Sequence, residues 1–205
     1  GLAGHDTLMG LGDDDTLDGG PGIDTAWYTD VRAHFQFTKS VSGDWTVQDT
    51  QGAEGTDRLH DIERLQFADK KIALDLNPNE NAGRALEFLG VLAPELISAP
   101  SVVGAILNLA DQGSGLQGLF QLALDLGLVS QIAGAGTNTA VAQMAFRNVI
   151  GAQPDAMTTD RLLSFMDGRV ASFSQAEFLT AIASLEVNQD HIGLVGLQQT
   201  GIEYL

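Results

Sequence analysis

Gly1-Leu2-Ala3-Gly4-His5-Asp6-Thr7-Leu8-Met9, Gly10-Leu11-Gly12-Asp13-Asp14-Asp15-Thr16-Leu17-Asp18 and Gly19-Gly20-Pro21-Gly22-Ile23-Asp24-Thr25-Ala26-Trp27 are three copies of one nine-residue unit. Position one is Gly and positions six and seven are Asp-Thr in every copy; position eight is Leu, Leu and Ala. Residues 1–30 hold seven Asp and no Lys or Arg. So many like charges belong either to a solvated acidic linker or to a segment that cations neutralise. A linker has no reason to keep an Asp-Thr pair in phase with an apolar residue two positions after the Asp. Glycine admits positive φ, so backbone carbonyls can turn toward one point. Ca²⁺ takes about six to eight hard oxygens, which carboxylates and carbonyls supply. The apolar eighth residue is expected in a short strand, pointing inward.

These residues resemble the calcium repeat of RTX proteins, G-G-x-G-x-D-x-U-x, found in the C-terminal tails of bacterial proteins exported by type I secretion. Leu2 and Leu11 depart from the second Gly of that pattern, Asp13 from the fourth position, and Ala26 from the large apolar residue. The resemblance implies a parallel β-roll in which two repeats make one turn. Loops one and three then share a calcium ion between Asp6 and Asp24, and Asp15 lies on the opposite side. The candidate metal residues of the three loops are Gly1, Gly4, Asp6, Gly10, Gly12, Asp13, Asp15, Gly19, Gly22 and Asp24.

Beyond the repeats the pattern stays β-like to residue 76. His34-Phe35-Gln36-Phe37-Thr38 alternates with period two, Ser42-Gly43-Asp44 is a turn signal, and Trp45-Thr46-Val47-Gln48 reads as the returning strand. Gly55–Asp69 resembles the segment that closes RTX rolls, and Ile72–Leu76 reads as a last strand. A solenoid needs such a cap, because its end otherwise exposes core and strand edges. Asp49, Glu54, Asp57 and Glu63 are candidates for a further calcium site; the alternative is that they are turn and surface carboxylates.

At Asn77-Pro78-Asn79 the apolar spacing changes from two to about 3.6. Helices are expected near 80–93, 102–111, 115–126, 138–150, 159–167, 174–186 and 188–200, with Ser174-Gln175-Ala176-Glu177 as a capping box. Two halves, about 79–133 and 137–205, align on Phe88 with Phe146 and on Phe120 with Phe178. Asn138, Phe146–Asp155, Ser174–Leu179, Glu186, Asn188 and Gly201–Tyr204 resemble the DUF4214 family, a helical domain of bacterial surface and type I-secreted proteins. The aromatic signature expected near 161–166 is missing.

The expected fold is therefore multidomain, β then α: an N-terminal parallel β-roll with a capping hairpin and strand segment over 1–76, then an all-α module over 77–205. The chain carries a net charge of −17, which opposes binding to nucleic-acid phosphate or an anionic membrane. It has no cysteine and no apolar run long enough to span a bilayer. His5, His34, His60 and His191 are too scattered for a zinc motif. No G-x-S-x-G elbow or P-loop is present. Trp27, Tyr28 and Trp45 are either a sugar-stacking platform or core, with core favoured.

The sequence is read as the C-terminal part of a longer bacterial protein, secreted or held at the cell surface. The expected function is a non-catalytic calcium-binding region that folds on Ca²⁺ outside the cell and supports type I secretion, with the secretion machinery as a transient partner. The alternative is a surface-layer or adhesion module whose helical half binds a protein or glycan.

Overall fold

The computed structural model describes residues 1–52 and 54–205. The chain divides into two compact units, Gly1–Leu76 with Gly196–Leu205, and Asn77–Val195.

In the first unit each repeat supplies one short strand: β1 (Thr7–Leu8), β2 (Thr16–Asp18) and β3 (Thr25–Trp27). Alternate repeats enter opposite sheets, so β1 pairs with β3, and β2 does not join them. The eighth repeat residues face inward: Leu17 and Ala26 are buried and Leu8 packs against the same core. After a 3₁₀ turn at Arg32–His34 come β4 (Phe35–Lys39), β5 (Trp45–Asp49), β6 (Thr56–His60), β7 (Arg64–Gln66) and β8 (Lys71–Ala73). The β4–β5 hairpin turns at Gly43, whose φ of 102° is one that side chains disfavour. Tyr28, Phe35 and Phe67 form an aromatic cluster with centroids 4.9–5.6 Å apart. Trp45 and Tyr28 are core residues, which leaves Trp27 as the exposed member of the three aromatics named above.

The expected parallel β-roll is not what forms. One sheet has the order β1-β3-β7-β8-β9 and the other β2-β6-β5-β4, and both are mixed. Parallel pairing is confined to β1–β3–β7 and β2–β6. Strands β4 and β5, β5 and β6, and β7 and β8 are joined by connections of only a few residues, and strands so joined pair antiparallel. Nor are the strands confined to the first part of the sequence. β9 (Ile202–Tyr204) pairs antiparallel with β8, so the fold is mixed α/β rather than β then α. Gly201, at φ 72°, turns the chain out of the preceding helix, and pairing supplies β8 with hydrogen-bond partners along an edge it would otherwise leave open.

The second unit is helical: α1 (Asn81–Leu92), α2 (Pro100–Asp111), α3 (Leu116–Asp125), α4 (Leu128–Ala133), α5 (Asn138–Ile150), α6 (Ala156–Leu163), α7 (Gln175–Ala183) and α8 (Glu186–His191). Helix α9 (Leu194–Thr200) follows across the boundary between the units. Helix α1 is buried on nearly every face, packed by α2, α3, α5, α7 and α8. Phe88 of α1 meets Phe120 of α3 at 5.0 Å. Gly90 lets α8 approach: a side-chain carbon there would lie 2.6 Å from Asn188 Oδ1 and Ile192 Cγ2. Asn188 Nδ2 donates to the carbonyls of Glu87 and Ala183, and Asn148 Nδ2 ties α5 to the end of α1. Thr137, Asp155 and Ser174 cap α5, α6 and α7, the last with a full capping box, each contributing about 1 kcal/mol.

Candidate functional site

Asp6 and Asp24 of the repeats, with Glu63 beyond them, form a ladder of carboxylates in the first unit. Leu2 N donates to Asp6 Oδ2 (2.9 Å), Asp6 N to Asp24 Oδ1 (2.7 Å), and Asp24 N to Glu63 Oε2 (2.8 Å). Beside the other sheet Asp15 N donates to Asp57 Oδ1 (3.0 Å), and Thr56 N to Asp14 Oδ1 (2.8 Å). Asp24 and Asp57 are buried, and Asp6, Asp15 and Glu63 are half-buried. Asp49 ends β5 and Glu54 precedes β6: Asp49 accepts from Gln51 N and Glu54 N, and Glu54 accepts from Thr29 N and Oγ1.

The glycines make the ladder close-packed. A side-chain carbon at Gly1 would strike Gly19 O, one at Gly19 would strike Asp61 O, and one at Gly22 would strike Gly4 O. At Gly10 it would lie 2.7 Å from Asp15 Oδ2. Gly12 and Asp13 are exposed, and Asp13 takes a positive φ of 73°.

This geometry corrects the calcium expectation. Among the described residues no group of three or more His, Cys, Asp or Glu side chains is placed to hold a metal ion. The physical reason is visible in the ladder: Asp24 and Glu63 each direct an oxygen at a backbone N–H of the neighbouring turn and Asp6 directs one at Leu2 N of its own loop, so these oxygens are spent on the backbone rather than gathered around an ion. One buried oxygen, Asp24 Oδ2, has no hydrogen-bond partner among the described residues, but a single oxygen is far from the six or so that Ca²⁺ takes.

Desolvation is the leading influence on the buried acids of this unit. Burial pushes the carboxyls of Asp57 and Glu63 above their ordinary range, although each accepts a backbone N–H that works the other way. Burial, followed by the Asp57 charge, pushes the Tyr28 phenol up as well. The histidines serve local structure: His5 Nδ1 accepts from Ile23 N, His34 bonds Asp30 at 2.6 Å, and His60 bonds Asp44 at 2.8 Å.

The second unit holds a different arrangement, which the sequence did not flag. Glu87 lies in the apolar run Ala85–Leu89 of α1 and is only 1% exposed. Its Oε1 accepts from Gln189 Nε2 of α8 at 2.8 Å. Burial pushes its carboxyl above the ordinary range, opposed by the Gln189 donor and by Arg84 one turn earlier. Glu87 lines an open cavity of about 410 Å³ with Arg84, Gln117, Thr180, Ser184 and Gln189. The one sequence signal for it is a lone acidic residue inside the apolar run Ala85–Leu92 of that helix. A smaller groove, about 180 Å³, is wholly apolar and lined by Phe146, Ile150, Leu162, Ile182, Leu185 and Val187 among others.

Among the described residues no helix is long and apolar enough to cross a membrane. Compared with known proteins, the chain matches no family model, no curated protein and no solved structure.

Proposed function

We propose that the chain is a non-catalytic surface module of an exported bacterial protein. The β unit is its scaffold, and the helical unit binds a partner at the cell surface. The supporting observation is the cavity beside Glu87. The ladder carboxylates of the β unit are bonded to that unit's own backbone, whereas polar side chains of α1, α3, α7 and α8 line an open cavity. Open, polar-lined concavities are where small ligands and projecting groups bind. The resemblances of the repeats to type I-exported tails and of the helices to a surface-protein family supply the location, and the type I machinery is a transient partner during export.

The test is retention on cells. Fluorescently labelled protein is added to bacterial cells stripped of their surface proteins and washed. Saturable retention is expected. Retention no greater than that of an unrelated protein of equal size and net charge overturns the proposal.

A further inference from the structure

The cavity beside Glu87 has a chemistry that selects among ligands. Its volume, about 410 Å³, lies within the range of about 300–1,000 Å³ usual for small-ligand sites. Four of its side chains end in flat polar groups: the Arg84 guanidinium, the Glu87 carboxyl and the Gln117 and Gln189 amides. Much of their capacity is already taken. Arg84 donates to Asn81 Oδ1 and to Asn79 O, and Gln189 Nε2 donates to Glu87 Oε1. The Thr180 and Ser184 hydroxyls donate to the carbonyls of Ala176 and Thr180. On the ligand side this leaves acceptors, namely Glu87 Oε2, the Gln189 amide oxygen and the two hydroxyl oxygens. It also leaves donors, namely the Gln117 amide and the remaining Arg84 N–H groups.

Charge narrows the choice further. An anion faces the Glu87 carboxyl and a chain of net charge −17, and a small cation faces Arg84. A neutral ligand whose groups each donate and accept meets neither penalty. Hydroxyls do both: one can give its proton to Glu87 or Gln189 and receive one from Arg84 or Gln117. Pro78 and Leu116 add apolar wall to the same cavity, a match for the C–H face of a sugar ring. We infer that this cavity binds a neutral saccharide of the cell surface, with Glu87 as the acceptor that selects for a hydroxyl. The inference rests on the surface-module reading and names its ligand.

The probe is an array of neutral mono- to tetrasaccharides, with sialylated, sulfated and amino-sugar glycans as separate arms, read with the full chain. Two variants accompany it. Glu87→Gln keeps the shape and removes the carboxylate. Gln117→Trp fills the mouth of the cavity from an exposed position and leaves the core untouched. Circular dichroism establishes that each is folded. Retention of one or more neutral glycans is expected, weakened at least tenfold by Gln117→Trp and by Glu87→Gln. Neutral-glycan binding that neither folded variant changes overturns the inference, as does binding confined to the charged arms. If no neutral glycan binds while the protein still adheres to stripped cells, the saccharide inference falls and the surface-module reading stands. If adherence fails too, both fall.

Discussion

Asp24 is fully buried and accepts the Asp6 N–H at 2.7 Å while its own N–H is held by Glu63. Removing its carboxylate leaves the half-buried Asp6 N–H without its acceptor, which costs about 1 kcal/mol. Asp18, three residues after Asp15, is exposed, and surface changes usually stay within about 0.5 kcal/mol. Asp24→Ala should therefore lower the urea midpoint clearly, and Asp18→Ala should barely move it; equal losses would contradict the ladder. The carboxyls of Asp57 and Glu63 set a second expectation. Each is raised in the folded state by burial. A raised group binds its proton more tightly when folded, so its stabilising contribution is complete below the unfolded value of about 4 and is lost as pH rises through the folded value. His60, raised by Asp44, acts in the same direction at higher pH. Asp30 and Asp44 are lowered by their histidines, so their loss comes only below about pH 4. The urea midpoint should rise as pH falls from 7 to about 4.5, and Glu63→Gln should flatten that rise. A midpoint that falls over the same range would show that desolvation is not the controlling term.

Strand β9 is three residues long, yet it carries Glu203, bonded to Lys70 at 2.7 Å, and Tyr204, whose ring lies under Arg64 and Lys71. Deleting Gly201–Leu205 should destabilise the β unit by about 1 kcal/mol for each ladder hydrogen bond lost. Near-ultraviolet circular dichroism around Tyr28 and Trp45 should report it, and an unchanged β-unit transition would mean that the strand contributes nothing. That strand also marks a limit of reading from sequence. The nine-residue phase and the period-two runs locate β1 to β5, because each carries a repeated signal. Ile202-Glu203-Tyr204 is too short for a period, and its pairing depends on an edge formed some 130 residues earlier. Helix α4, six residues between Gly127 and Gly134, is likewise shorter than two turns. The expected helix over 188–200 breaks at Gly193, whose φ is 65°. Asp6, Asp15 and Asp24 are legible in the repeat, whereas Asp57 and Glu63 lie outside it. Whether their oxygens converge or bond the next turn depends on how closely the turns stack, and spacing along the chain does not contain that distance. Glu87 is hard to place from sequence because α1 is buried along most of its length, so its apolar run gives little periodic contrast against which one acid reads as inward or outward.

The first unit is made of two chain segments, Gly1–Leu76 and Gly196–Leu205, and the second of the single segment Asn77–Val195. A continuous segment brings its own ends together as it folds, whereas a split one must close the loop that its insertion makes. Closure costs little more for a long loop than for a short one, about 0.6 kcal/mol per doubling, but it falls entirely on the ten C-terminal residues. The helical unit has α1 buried at its centre, three side-chain caps and a core of Phe88, Phe120, Met144 and Leu179. A fragment of residues 77–195 should therefore fold alone and keep its helical circular dichroism with a cooperative melt. In the full chain, a core change in that unit such as Leu86→Ala should cost the helices about 2–5 kcal/mol. Once the helices melt, the inserted segment becomes a long flexible loop, whose closure is needed for β9 to pair with β8. In the chain that lacks 201–205, Leu86→Ala should then leave the β-unit transition where it was. The measurement is a pair of urea titrations followed at 222 nm and by the near-ultraviolet aromatic signal. A 77–195 fragment without cooperative melting would defeat this division of the molecule, as would an equal shift of both signals by Leu86→Ala in the shortened chain.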